Sequence, residues 1–120
     1  MNKAKKEKQE EPPKIEYSEK YYDSVYEYRQ VIFPKEWGMR LIERGLMPDE
    51  EWRRYGVQMS KGWYHYGSHP PEPHVLLFRR PIGTDPASGV VDRKLGEDQF
   101  REFEYVRHLS KPERVALGIN

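Results

Sequence analysis

Val25-Tyr26-Glu27-Tyr28-Arg29-Gln30-Val31-Ile32-Phe33 is the stretch on which the fold turns. It is rich in β-branched and aromatic residues. Val25, Val31 and Phe33 fall at odd positions, Tyr26, Tyr28 and Ile32 at even ones, the pattern of a strand with two usable faces. Before it, Ile15–Tyr22 reads as a partner strand, with Asp23-Ser24 in the turn. After it, Pro34 ends the ladder and suits the first turn of a helix over Lys35–Arg44, closed by Gly45. A second helix starts at Pro48 and ends at Gly56. Asp49, Glu50 and Glu51 in its first turn and Arg53 and Arg54 in its last match the helix dipole. Gly62–Tyr66 and His74–Arg80 then read as two more strands. The order β-β-α-α-β-β predicts an α+β domain built on a four-stranded antiparallel sheet capped by two short helices.

Composition divides the chain of 120 residues into three. Residues 1–14 are rich in lysine and glutamate with almost nothing to bury, which predicts a solvated, disordered tail. Residues 15–81 hold most of the aromatic side chains and form the domain proper. Pro81-Ile82-Gly83-Thr84-Asp85-Pro86-Ala87-Ser88-Gly89 reads as a linker, opening a C-terminal region over residues 82–120. There Phe100, Phe103, Val106 and Leu109 predict an amphipathic helix with Asp98 as its N-cap. Ser110-Lys111-Pro112-Glu113 predicts a capping box opening a short second helix. Such an extension either packs on the sheet, docks a partner or covers a binding face.

Several function classes drop out early. No cysteine is present, which removes disulfides, thiolate metal sites and a cysteine nucleophile. The longest apolar run, Val75–Phe78, is far short of the roughly 20 residues of a membrane span. A net charge of +1 gives no bulk electrostatic case for nucleic acid or membrane. His65, His69 and His74 invite a metal or phosphate-handling enzyme, but prolines at 70, 71 and 73 exclude the helical spacing of a zinc motif, and no nucleophile elbow or glycine-rich phosphate loop accompanies them. The expectation is no catalysis, no cofactor and no metal.

Cationic and donor side chains at strand ends remain. Arg29, Arg80, Ser60 and Trp63 converge on one anion if their strands are neighbours, since guanidinium forks suit phosphate bidentately. The competing reading pairs the arginines with Glu27 or Glu72 and buries Trp63 in the core. His69-Pro70-Pro71-Glu72-Pro73-His74 is either a rigid corner or a hinge that lets the last strand exchange between two chains.

Taken together these residues resemble the small regulatory subunits of cyclin-dependent kinases, the Cks family. The similarity runs without gaps from Ile15 to Pro81 and rests on Tyr17-Ser18-Glu19-Lys20-Tyr21, Glu27-Tyr28-Arg29, Pro34-Lys35, Glu51-Trp52-Arg53, Gly56-Val57-Gln58, Ser60-Lys61-Gly62-Trp63, His65-Tyr66 and above all Pro71–Pro81. The resemblance implies a non-catalytic adaptor of nucleus and cytoplasm. It would bind a cyclin-dependent kinase with its cyclin, and the phosphothreonine-proline sites of phosphorylated protein substrates. It implies a phosphate pocket of Lys20, Arg29, Ser60, Trp63 and Arg80, with Lys20 supplied by the resemblance alone. A kinase-facing surface would fall on Tyr66, His69 and Glu72, and a strand-exchange hinge giving a homodimer on Pro71 and Pro73. Gly67 and Ser68 stand where bulkier residues are usual in the family, Pro70 where a glutamate is common and Met59 where a glutamine is.

Overall fold

The computed structural model describes residues 12–118. The tail expected at residues 1–14 therefore lies outside the described residues except for Pro12–Lys14, which carry no regular structure. The strands are β1 (Glu16–Tyr17), β2 (Tyr21–Tyr22), β3 (Tyr26–Ile32), β4 (Tyr64–His69) and β5 (Glu72–Pro81). A 3-10 turn, Lys35–Trp37, leads into α1 (Gly38–Arg44); α2 is Asp49–Arg54, α3 Arg93–Arg107 and α4 Lys111–Ala116. β3 pairs antiparallel with β5, and β5 with β4; β1 and β2 lie end to end along the other edge of β3. The α+β architecture with an antiparallel sheet is as read from the sequence.

The differences are local. The single partner strand expected at Ile15–Tyr22 is two short strands, so the sheet has five. The chain leaves the ladder at Ser18–Lys20, where Ser18 Oγ accepts from Gln30 N–H (2.8 Å) and so replaces a strand partner. Asp23 closes the turn by accepting from Val25 and Tyr26 N–H and from the Tyr28 hydroxyl. That hydrogen bond pushes the Tyr28 hydroxyl up to about 12.

The hairpin between β4 and β5 is longer than Gly62–Tyr66 and His74–Arg80 suggested. Only Pro70 and Pro71 form the turn, while Glu72 and Pro73 already belong to β5. Pro73 is tolerated because β3 reaches no further along β5 than Val75 and β4 is irregular between Ser68 and His69, so no ladder donor is missed.

The core lies between the sheet and the two short helices. Val31, Phe33, Leu41, Met47, Trp52, Val57, Trp63, Leu76 and Phe78 are buried there, with Trp52 edge-on to Phe78 at 5.1 Å. His65 is buried with them, stacked on Phe78, its Nδ1 accepting from Met47 N–H at 3.0 Å.

The expected linker is built structure. Ile82, Gly83 and Thr84 are buried, and Asp85 accepts from Ala87 and Ser88 N–H to close a turn. Thr84 then pairs with Val91. The following helix is capped by Asp92, which accepts from Lys94 and Leu95 N–H; Asp98, expected as the cap, lies inside α3 and pairs with Lys94 and Arg101. The hydrophobic period alone located the apolar face but began one and a half turns too late. The capping box at Ser110 and Glu113 is present.

Gly83, at φ +88°, and Gly96 lock α3 onto the end of β5. A Cβ on Gly83 would stand 2.2 Å from the Asp92 carbonyl oxygen, and one on Gly96 2.9 Å from that of Ile82. Gly96→Val should therefore undock α3 while leaving the sheet intact, seen as selective proteolysis after residue 83 with an unchanged core melting transition.

Burial depresses the His65 pKa below its ordinary 6.5, and the Met47 N–H bond requires the lone pair of the neutral ring. The unfolded chain thus binds the proton more readily, so stability falls as pH drops below about 6.5. His65→Asn, which keeps an acceptor for Met47, should flatten this part of a urea-midpoint against pH curve.

Candidate functional site

One face of the sheet carries the core and, at its far end, a charged cluster. The register places Glu27 of β3 opposite Arg80 of β5 and opposite Tyr22 of β2; Arg29, two residues along β3, shares that face. Glu27 and Arg80 form an ion pair at 2.8 Å, with side chains 1% and 4% exposed. The same guanidinium donates to Ser60 Oγ (2.8 Å) and to the Lys61 carbonyl (2.9 Å) and lies over the Trp63 ring, 4.5 Å from its centroid. Lys20 Nζ, half-exposed, reaches Glu27 Oε1 at 3.6 Å, an ion pair too long for a direct hydrogen bond. Arg29 Nε donates to the Ser18 carbonyl (2.9 Å), and its guanidinium lies 5.4 Å from the Tyr17 ring centroid.

Four of the five residues read from the sequence join one cluster built on the Glu27–Arg80 pair, while the contacts of Arg29 are with Ser18 and Tyr17. Ser60, Trp63 and Arg80 touch directly, Lys20 joins through Glu27, and Arg29 sits beside Glu27 on the same face. Arg80 pairs with Glu27 and Trp63 is core, as the competing reading expected, and Lys20 joins the same acid. Sequence reading offered Glu27 as an arginine partner, which it is, but not as the centre of the cluster. The signal was there: period-two alternation puts residue 27 on the face of residue 29. Sequence reading missed Tyr22, whose hydroxyl is raised above its ordinary value by burial and by the Glu27 charge, against the pull of Arg80 and Arg29.

The opposite face is a field of tyrosines. Tyr21 stacks on Tyr28 (5.2 Å), Tyr26 and Tyr66 flank Tyr28, and the Arg79 guanidinium lies over Tyr26, Tyr64 and Tyr66 while donating to the Tyr64 hydroxyl. This patch is built by cation–π contacts rather than by a packed layer. At the turn of the same hairpin, His69 Nδ1 and Glu72 Oε1 are 3.4 Å apart. Tyr66, His69 and Glu72 thus all ride on the β4–β5 hairpin.

The three histidines do not converge. His65 and His74 are buried in separate settings and His69 sits at the turn. Among the described residues no group of three or more His, Cys, Asp or Glu could hold a metal ion, and no helix is long and apolar enough to cross a membrane. Ser60 contacts a guanidinium rather than an imidazole.

Residues 15–82 match the family profile described as "Cyclin-dependent kinase regulatory subunit". The chain belongs to the Cks family. Among curated relatives, a "Cyclin-dependent kinases regulatory subunit 2" of Xenopus laevis is 56% identical over 71 residues, 59% of this chain and 90% of that protein. The "Cyclin-dependent kinases regulatory subunit" of Drosophila melanogaster is 57% identical over 67 residues, 56% of this chain and 90% of the relative. An Arabidopsis thaliana "Cyclin-dependent kinases regulatory subunit 2" is 50% identical over 68 residues, 57% of this chain and 82% of the relative. The Cks profile covers the sheet, α1 and α2, and ends where the turn into α3 begins.

Within this Cks domain the Glu27–Arg80 pair is sealed from water, so removing one partner strands the other charge. Glu27→Leu should cost about 3–5 kcal/mol of unfolding free energy. Arg29→Ala, at a residue only partly buried and tethered to one carbonyl, should cost about 1 kcal/mol. Urea denaturation of the two variants checks the contrast.

Proposed function

We propose that this protein is a non-catalytic adaptor with two binding surfaces. The β4–β5 hairpin, with Tyr66 on its tyrosine-rich face and His69 and Glu72 at its turn, docks a cyclin-dependent kinase bound to its cyclin. The cluster of Lys20, Arg29, Ser60, Trp63 and Arg80 binds phosphothreonine-proline sites of substrates already phosphorylated. The relatives, named as regulatory subunits of cyclin-dependent kinases, support the kinase partner. The observation that carries the phosphate reading is a charge balance. Three cations, Lys20, Arg29 and Arg80, less the one carboxylate of Glu27, leave +2 on one face. A phosphothreonine brings about −2 and three acceptor oxygens.

The roles follow from the contacts. Arg80 is fixed by Glu27, Ser60, Lys61 and Trp63, so its remaining donor is pre-oriented and little rotamer entropy is lost on binding. Lys20 and Arg29 are more open and close on the anion from either side. Each charge-assisted bond contributes about 1.5–3 kcal/mol, and less in an open site, so one phosphate is held weakly. Tethering to a kinase raises the effective concentration towards millimolar and turns weak binding into retention of a primed substrate while further sites are phosphorylated. The two surfaces suit that task. Tyr66 packs under Arg79 on one face of the sheet and Arg80 points to the other, while Glu72 stands eight residues from Arg80 along β5, roughly 26 Å.

Calorimetry with a phosphothreonine-proline peptide and its unphosphorylated twin tests the reading. Only the phosphorylated peptide should bind, more weakly as salt rises, and Arg29→Ala should weaken it about ten- to hundredfold. Tyr66→Asp with Glu72→Gln should leave that affinity unchanged while reducing capture of a kinase–cyclin complex. Equal binding of both peptides, or no effect of Arg29→Ala, would exclude a phosphate pocket here.

A further inference from the structure

The C-terminal extension lies beyond the match to the Cks family, yet it borders the cationic cluster at two places. Its first contact is at Ser60–Gly62. Lys61 N–H donates to the Pro86 carbonyl (3.1 Å), and a Cβ on Gly62 would stand 2.7 Å from Thr84 Cγ2 and 3.6 Å from Arg80 Cδ. The turn at residues 86–89 and Ser60–Gly62 thereby form facing walls of a cleft of about 540 Å³. The second contact is α3. Phe103 packs against Tyr22 with ring centroids 5.3 Å apart, and Gln99 Oε1 accepts from Gly83 N–H (3.1 Å). With the Gly83–Gly96 interlock, these contacts fix α3 at both ends of its docked segment. Tyr22 directly follows Tyr21 and Lys20 in the chain and faces Glu27, so α3 is held at the rim of the cluster.

Glu102 precedes Phe103 on this helix. Its charge reaches the Tyr22 hydroxyl, which also senses Glu27, Arg80 and Arg29. Other acids of α3 are already engaged: Asp98 with Lys94 and Arg101, Glu104 with Arg107 and His108. Glu97 lines a separate groove with Arg93, Val25 and Val91. Among the described residues Glu102 has no ion-pair partner, and its exposed carboxylate is carried one residue from the Phe103–Tyr22 contact that holds α3 at the rim of the cluster.

We propose that the extension is a specificity wall of the phosphopeptide site, with Glu102 an acidic lip that favours a lysine or arginine near the phosphothreonine. This rests on the phosphothreonine reading above and adds to it a choice among phosphorylated sites. The phosphate occupies Lys20, Arg29 and Arg80, and the chain on one side of it passes over Tyr22 and α3. A basic side chain there meets Glu102, whereas an acidic one is repelled by it. The cations of the pocket would by themselves favour acidic flanks, so Glu102 inverts the preference at that one place.

The test uses the full chain and phosphothreonine-proline peptides in which a single lysine or glutamate is walked through three positions on either side of the phosphothreonine. At one or two positions lysine should bind about two- to fivefold tighter than glutamate at low salt. Glu102→Gln should abolish that difference and Glu102→Lys should reverse it. Gly96→Val, which undocks α3, should abolish it while Arg29-dependent binding persists. A lysine preference unaltered by Glu102→Lys, or the absence of any positional preference in a chain that binds the phosphate, overturns the wall and leaves the pocket standing. Failure of every phosphopeptide to bind overturns both.

Discussion

The ion pair between Glu27 and Arg80 is the constraint on which the rest depends. It joins β3 to β5 at directly opposed positions, in a place almost free of water, where an unpaired charge would be costly. Glu27 thereby sets where Arg80 points. Arg80 in turn holds the Ser60 hydroxyl and the Lys61 carbonyl and lies on Trp63, so one carboxylate organises residues from three separated parts of the chain. It also limits the positive charge that collects there. Without it, three cations would repel one another across a small face; with it, the surplus matches a single phosphate dianion.

The pair also explains how a domain of this size supports two surfaces. One face of the sheet is spent on a core of tryptophan, phenylalanine and aliphatic side chains under α1 and α2, and that core ends where the charged cluster begins. The other face is lined by tyrosines held around Arg79. A rigid central strand, β5, contributes Arg80 to the first face and Arg79 to the second. Neighbouring residues of one strand thus serve opposite sides of the sheet, as the two-residue period requires. On the proposed reading this is what makes the molecule an adaptor: both partners are positioned by the same backbone.

Much of this was legible in the sequence because it is written in local chemistry. Alternation from Val25 to Phe33, Pro34 and Pro48 before helices, and Gly45 and Gly56 after them all correspond to elements in place. The meeting of Arg80 with Ser60 and Trp63 followed from strand-end positions once the strands were made neighbours. What escaped depended on tertiary contact. Glu27 was one of several acids that could pair with an arginine until its register put it under Arg80. The Pro81–Gly89 segment looked like a linker because its glycines and prolines also suit a turn; only the packing of Thr84 against Gly62 and of Gly83 against Gly96 distinguishes the two. Asp98 was read as the cap because it directly precedes the apolar repeat that begins at Phe100, whereas the helix starts at Asp92.

The most direct test of the central claim is a backbone-amide NMR titration of the full chain with a phosphothreonine-proline peptide. The account predicts saturable shifts concentrated at Lys20, Glu27 to Arg29, Ser60 to Trp63 and Arg80, with Tyr66, His69 and Glu72 unmoved. Shifts centred on the tyrosine face, or none at the Glu27–Arg80 pair as the peptide saturates, would contradict it.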